Sequence, residues 1–551
     1  MKRRLVIVAV AFSLILILAG CASNQGSDAS VSDTDAVTTA ASVELFPLAS
    51  QCRSCHNDIS ADDGTQFSFV TEWMNSTHSQ SSTDPLFQAV VRQEMMMLPE
   101  ASDLIQGVCA SCHLPMANFT AIAEDSSQSF FDNARNPESE LHELYLDGIS
   151  CMLCHQLTSI PTEGNTVFHD SELTIDLNMP AAGKTRNLYG YYPISEAAQQ
   201  PMVDSIGYFT VPDATARSAA MCAACHTLYT DAFTVEGEPT GIQLPEQVVA
   251  LEWAEWSESS SKSCQSCHMP VVVQSGPLSN MQIEDAARGE ISTHSFVGPN
   301  SFLKQLNNSS DNPLERGIEA STEFLQNETA TLTLASSFAV APGADSTLML
   351  DVTIDSMVGH KFPTGFPSRR AWLHVQVFDA SGNLLYESGG YNEQGMILDN
   401  NADQVAGTFE PHYSLIDQPG QVQIYESIML NSNGEATSVL LQGVAFAKDN
   451  RILPVGFDKT KVPVDIAVIG DALIDDNFIG GSDTTTYLIS LPAGTGELTI
   501  QVELLYQSVS YRFLDDLMSY PSPEQKKLAE LIEQNPNLPV LVTRQEIKVT
   551  R

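Results

Sequence analysis

The chain has 551 residues, 43% of them hydrophobic, and a formal charge of −42. At roughly 150 residues per domain this length allows two to four domains. The acidity excludes nucleic acid and anionic lipid surfaces as partners and fits an exported, highly soluble protein.

The first twenty residues are set apart from the fold. Lys2, Arg3 and Arg4 precede an apolar run from Leu5 to Leu18 that is too short to span a membrane, and small residues follow. Residues 1–20 are therefore expected to be an export signal. Leu18-Ala19-Gly20-Cys21 has the pattern of a bacterial lipobox, which makes Cys21 the expected lipidation site; a plain secretory signal is the alternative. Ala22 in place of aspartate favours the outer membrane, on its periplasmic or its cell-surface face. Residues 21–46 include a stretch rich in Ser, Ala, Thr, Asp and Val without periodicity, and the segment is expected to be a flexible tether.

Ten of the eleven cysteines fall into five C-x-x-C pairs, each followed at once by histidine. The motifs are Cys52/Cys55/His56, Cys109/Cys112/His113, Cys151/Cys154/His155, Cys222/Cys225/His226 and Cys264/Cys267/His268. This is the attachment spacing of c-type haem: two thiols meet two vinyl groups, and the next imidazole reaches the iron. Disulfides and zinc sites also use C-x-x-C, but neither requires the histidine five times over. Five covalent haems are expected, with the porphyrins filling much of the core of a pentahaem domain over 47–326. Short helices and coil should carry it, including Pro85–Leu98 and Glu246–Ser257. The Met95-Met96-Met97 run is expected to pack.

Sixth ligands come next. Seven histidines remain: His78, His142, His169, His294, His360, His374 and His412. His78, His142, His169 and His294 lie in the haem region and are candidate distal ligands, one short of five; Met116 and Met269 are fallbacks. The stretch GHKFPTGFPSRR at 359–370 offers the fifth, His360, next to turn-forming Pro363 and Gly365. Arg369 and Arg370 beside it are candidate partners for haem propionates, since guanidinium matches carboxylate geometry. His412 and then His374 are the substitutes, although His374 shares a strand face with Trp372.

Beyond residue 327 the pattern alternates: LMLDVTI, WLHVQVF, VQIYESIML and ELTIQVELL read as strands. Turn signals DASG, NSNG and AGTG separate them. The expectation is an antiparallel β-sandwich over 327–551 with seven to nine strands, giving an α+β multidomain protein. The acidic loop at 471–483 is expected to be a solvated turn rather than a calcium site. A late helix, Pro523–Glu533, is signalled by Ser522 as N-cap, Pro523 in the first turn and Gln525 at the capping-box position, with Leu528, Leu531 and Ile532 packing inward.

The fragments WMNSTHS, DGISCMLCHQL, SCQSCHMP and THSFVGPNSF resemble multihaem cytochromes c related to hydroxylamine oxidoreductase and its tetrahaem electron acceptor. GHKFPTGFPSRRAWLHV, VQIYESIM, KDNRILPVGF and LLYQS resemble the β domain joined to such cytochromes in metal-respiring bacteria. The resemblance implies a lipoprotein electron carrier working across the periplasm or outer membrane, with other cytochromes or an extracellular acceptor as partners. The alternative is a haem enzyme acting on a small nitrogen or sulfur compound at an open iron position; a third reading gives the β domain an adhesion or filament role. Five motifs do not reproduce the haem count of hydroxylamine oxidoreductase, and no C-x-x-C-K stands where pentahaem nitrite reductases typically place their catalytic lysine. Both departures favour the carrier over an enzyme.

Overall fold

All five C-x-x-C-H motifs close short helices. In α1 (Ala49–His56), α2 (Pro85–Met97), α3 (Ser102–His113), α4 (Cys151–Cys154), α5 (Ala219–His226), α6 (Val249–Ser257) and α7 (Cys264–His268), every helix except α2 and α6 carries a motif at its C-terminal end. A helix places positions i, i+3 and i+4 on one face, so both thiols and the imidazole point the same way. The chain then stops turning for local reasons. Pro115 and Pro270 follow Leu114 and Met269, and both preceding residues are pushed out of the helical region, with φ near −141° and −132°. After His226 the chain enters a strand directly, β1 (Thr227–Phe233), which pairs antiparallel with β2 (Pro239–Val248).

The structure is a computed structural model that describes residues 43–124, 130–160, 165–167, 172–181, 183–281, 288–310, 313–340, 346–492 and 496–550. Cys21, His169 and most of the AGTG turn lie outside the described residues. The expected helix over Pro85–Leu98 is α2, capped by Asp84, whose carboxylate accepts from Leu86 N–H at 2.9 Å. The expected helix over Glu246–Ser257 starts later, at Val249. Gln247 and Val248 are held in the β1–β2 ladder opposite Leu228 and Thr227, and β-branched Val248 suits that ladder better than a helix turn.

Helix α8 (Glu315–Glu328) ends the helical half, and sheets follow from Ala330. One sheet holds, in order, β3 (Ala330–Val340), β4 (Ser346–Ser356), β11 (Ser482–Leu491) and β7 (Leu415–Ile416). The other runs β9 (Ala436–Thr437), β8 (Ile424–Leu430), β5 (Arg370–Asp379), β12 (Glu497–Gln507) and β13 (Val540–Thr550), with β6 (Leu384–Ser388) beside β5 and β10 (Ala445–Asp449) beside β8. Alternate residues of both sheets meet in one buried cluster: Leu348, Leu350, Val352 and Ile354 from β4, and Leu373, Val375 and Val377 from β5. The result is a mixed α+β chain with sheets of four and seven strands, more than the seven to nine expected. Two-residue strands such as β7 and β9 carry too little alternation to be read in sequence, and β7 pairs parallel with β11.

The two halves are packed together. Helices α9 (Tyr511–Met518) and α10 (Pro523–Gln534) leave the sheets and lie on α2. Leu514, Leu517 and Leu528 join Leu86, Ala89 and Val90 in a single apolar cluster, with Leu531 and Ile532 at its margin. Arg92 and Arg135 both reach Glu524, at 3.2 and 2.7 Å, and Gln525 Nε2 donates to Ala89 O at 2.8 Å. Ser522 caps α10 by accepting from Gln525 N–H at 3.3 Å.

Candidate functional site

The five motif helices converge on one cavity of about 1280 Å³. All ten motif cysteines line it, as do His56, His113, His155, His226 and His268. His78, His294 and His360 line it as well, together with Met269 and Arg369.

Four of the motif imidazoles are oriented by their own backbone surroundings. Nδ1 of His56, His113, His155 and His268 lies 2.9, 3.2, 2.8 and 2.6 Å from the carbonyl oxygens of Leu278, Ser81, Tyr189 and Val297. A carbonyl can only accept, so Nδ1 carries the proton and Nε2 keeps its lone pair. This is the arrangement that holds a metal-ligating imidazole in place. Nδ1 of His360 makes the same bond, to Lys361 O at 2.8 Å. Burial keeps these rings neutral. It lowers His78 and His294 to about 3 and His226 to about 4, helped for His78 by His226 and His113, for His294 by His155 and for His226 by Arg369.

Two pairs of imidazoles face each other across the cavity. The rings of His155 and His294 lie 6.4 Å apart and 15° from parallel, and those of His268 and His360 lie 6.3 Å apart and 14° from parallel. Two imidazoles bound on opposite sides of one metal at about 2 Å each would put their centres roughly 6 Å apart. The donor set, tautomers and spacing therefore fit covalent haems with histidine on both faces of the iron at the third and fifth motifs. His78 packs its ring on Phe296 at 4.5 Å, close to His226, His113 and His268.

The loop that carries His360 is built to hold it. Gly359 sits flat on Trp256: a Cβ there would come within 2.6 Å of the indole. Lys361 is fully buried and pairs with Asp449 at 2.7 Å, while Arg451 bridges Asp449 and Glu252. Glu252, on α6, also accepts from Lys361 N–H at 3.2 Å and Thr364 Oγ1 at 2.5 Å. Gly365 turns the chain with φ +83°. Arg369 then donates to Thr364 O at 2.7 Å and faces the cavity.

Arg370 requires a correction. Its guanidinium forks onto both oxygens of Asp403 at 2.7 and 2.8 Å and bonds Gln507, fully buried in the seven-stranded sheet. Arg370 opens β5 and is turned into the sheet, whereas Arg369, just before the strand, is held by Thr364 O on the cavity side. Sequence reading missed three other cations that line the cavity, Arg217, Lys262 and Arg288. The signal available for them was the scarcity of cations in so acidic a chain. Arg217 stacks on Tyr191, 4.0 Å from its ring centre.

His142 does not line the cavity; its Nδ1 bonds Ala134 O at 3.2 Å, and its ring lies near Tyr145. Met116 is fully buried away from the cavity and accepts from Ser150 Oγ. Met95 and Met97 pack against the cluster around Val91 and Ile105. His374 bridges Glu387 and Glu503 in the sheet, at 2.9 and 3.1 Å.

His412 lies with Asp475 and Asp483, their ligand atoms all within 4.8 Å. The loop at 471–481 is the largely solvated turn expected, with Asp471, Ile474, Asp476 and Asn477 exposed; the buried Asp483 belongs to β11. The trio does not suit a metal. Nδ1 of His412 receives the amide nitrogens of Gln423 and Asn450 at 3.0 and 3.1 Å, and the oxygens of those amides accept from Tyr413 and Glu426 N–H. With Nδ1 an acceptor, the proton sits on Nε2, aimed at Asp475 Oδ2 at 3.2 Å, where a metal would need the lone pair.

No family model and no curated protein matches the chain. Among solved structures, the crystal structure of a penta-heme cytochrome c552 from Thermochromatium tepidum is similar over 92% of this chain and 99% of that chain, with a TM-score of 0.48 and 14% identity.

Proposed function

We propose that this chain is a pentahaem c-type cytochrome that carries electrons. The observation that carries this reading is the convergence of all five C-x-x-C-H motifs on one cavity, with His294 and His360 set opposite His155 and His268 at the spacing for a shared iron. When bound, the haems supply one-electron redox chemistry. The protein's part is attachment, orientation and tuning. The thiols would anchor, Nδ1–carbonyl bonds fix the imidazoles of His56, His113, His155 and His268, burial keeps them neutral, and Arg369 would offer a guanidinium to the haem carboxylates.

In this reading the sheets form a sandwich domain over 327–551 that covers the haem domain over 47–326, and His360 of its loop would be the residue that helps to hold the fifth haem. The chain is exported, anchored through Cys21 at the outer membrane, and passes electrons to other cytochromes or an extracellular acceptor in respiration. The resemblance to multihaem cytochromes of metal-respiring bacteria supports that role.

Haem content tests the core of the proposal. Intact mass and a pyridine-haemochrome assay on the mature protein should both give five covalent haems per chain. Four or fewer in fully matured material would overturn it.

A further inference from the structure

Two buried carboxyl groups stand in the cavity wall beside the second motif, and attachment of a haem there does not use them. Glu94 lies in the last turn of α2 and is 2% exposed. Positions i−3 and i+4 share its helix face, and these are Val91 and Leu98, which form one cluster with Ile105, Ala110 and Cys109 of α3. Glu94 therefore stands toward the helix that carries Cys109, Cys112 and His113. Both of its oxygens are held: Oε1 accepts from Leu440 N–H at 2.6 Å and Oε2 from Leu441 N–H at 3.3 Å. Leu441 lies at the margin of the same cluster.

Glu246 reaches the same wall from β2. It is the extra residue of a β-bulge, between Pro245 opposite Tyr229 and Gln247 opposite Leu228. Leu244, Glu246 and Val248 form the buried side of the strand, and Leu244 packs with Val90 and Leu440, the neighbours of Glu94. Glu94, Glu246, Cys109 and Cys112 all line the cavity. Thr230 Oγ1, buried on the facing strand β1, bonds no other described residue and is left to the Glu246 carboxyl. Among the described residues no cation pairs with either acid. The titratable groups around them are each other, Cys109 and Cys112 from α3, and Tyr520 from the turn between α9 and α10. Asp231 of β1 is exposed and accepts from Gln243, while Tyr229 donates to Asp465. Burial raises Glu246 to about 7, and burial with Glu246 nearby raises Glu94 to about 8.

Resting on the haem reading above, we propose that Glu94 and Glu246 form a proton-binding site that couples reduction at the Cys109/Cys112/His113 site to the uptake of one proton from water. One electron from a redox partner protein takes Fe(III) to Fe(II), and one proton from solvent turns a carboxylate into a carboxyl, so the net charge of the site is unchanged. Electrostatics drives the coupling. Reduction removes a positive charge beside two buried acids that no cation compensates, and the low-dielectric surroundings magnify that loss. The two acids then titrate as a unit rather than singly. Cysteines held as thioethers no longer titrate, which leaves the pair as the buried proton acceptor of this wall.

The test is a redox titration of the intact holoprotein at a series of pH values, with NMR identifying the second haem by its contacts to Ile105. The potential of that haem should fall as pH rises through about 7–8, because a bound proton favours the reduced form. The limit for one proton per electron is a tenfold change in equilibrium constant per pH unit, about 59 mV. Electrochemical reduction in unbuffered solution with a pH indicator should take up about one proton per chain more than the Glu94→Gln/Glu246→Gln variant does. A pH-independent potential at the second haem, or a pH dependence that persists in the double variant, would overturn the proton site while the haem reading stands. If fewer than five haems are present, it is the haem reading that fails. Should the double variant not fold, Glu246→Gln, which leaves both bonds to Leu440 and Leu441 in place, is read in the same way.

Discussion

His360 shows how much one side chain is asked to do. It belongs to the sheet half of the chain, yet its ring faces His268 of the fifth motif at 6.3 Å. His360→Ala is expected to convert one haem to high spin and shift its potential while three or more others keep their spectra; visible and EPR spectra unchanged from wild type would remove His360 from the iron. Gly359→Ala tests the support. A methyl group would meet the Trp256 ring at 2.6–2.8 Å, so the loop or the indole has to move. The expected outcome is a protein that still folds but shows a mixture of spin states at that site, with a lower melting temperature. Arg369 and Arg370 stand side by side in sequence and face opposite ways, so Arg369→Gln should move a haem potential and Arg370→Gln should instead lower stability. A buried charge pair broken on one side costs about 3–5 kcal/mol, read as a lower urea midpoint.

At the level of elements, the loop at 359–365 depends on two separate segments: α6 through Glu252, and the end of β10 through Asp449 with Arg451 just beyond it. Burial alone would raise the Asp449 carboxyl, but Arg451 and Lys361 outweigh it and hold it well below the usual carboxylate range. A carboxyl lowered in the folded state binds its proton more weakly there than in the unfolded chain. Its contribution is therefore present above the unfolded value near about 4 and is lost as pH falls further. Asp449→Asn should destabilise at neutral pH by about 3–5 kcal/mol and flatten the acid side of the stability profile. Urea titrations of both proteins between neutral and acid pH would check this; parallel curves would mean that Asp449 is not the titrating group. The α10–α2 contact makes a second element-level prediction. Leu528 is fully buried among Leu86, Ala89 and Val90 or their neighbours. Leu528→Ala should cost about 2–5 kcal/mol without altering the haem spectra, because Leu528 stands on the far side of Leu86 and Val90, which line the cavity while Leu528 does not.

For the whole molecule, the helical half cannot close the cavity by itself. Val358, His360, Phe362, Arg369 and Tyr506 from the sheet half stand in its wall. Expressing 47–326 alone should therefore give a protein with one more high-spin haem than the full chain, and carbon monoxide binding to the reduced form should rise accordingly. The full chain should bind carbon monoxide at one iron or none. Attachment is tested separately: Cys21→Ser should release the protein from the membrane fraction or stall signal processing, and unchanged detergent-dependent extraction would remove the lipid anchor from the proposal.

The sequence by itself determined the chemistry of the cavity and the type of most elements. C-x-x-C-H places its three donors on one helical face whatever the surroundings, and alternation in β4 and β12 with β-rich runs in β5 and β8 marked the strands, because these are local patterns. It also singled out His360, by counting imidazoles against motifs. Tertiary structure alone decided the partners. That His294 faces His155 and His360 faces His268, that Arg370 turns to Asp403, and that His142 stands off the cavity all follow from how distant segments pack. So does the state of His412, whose Nε2 proton is imposed by two amides from elsewhere in the chain. Orientation of a side chain toward one of several distant neighbours leaves no periodic trace. It is set by burial and by which hydrogen bonds the surrounding backbone can satisfy, and those are properties of the assembled fold.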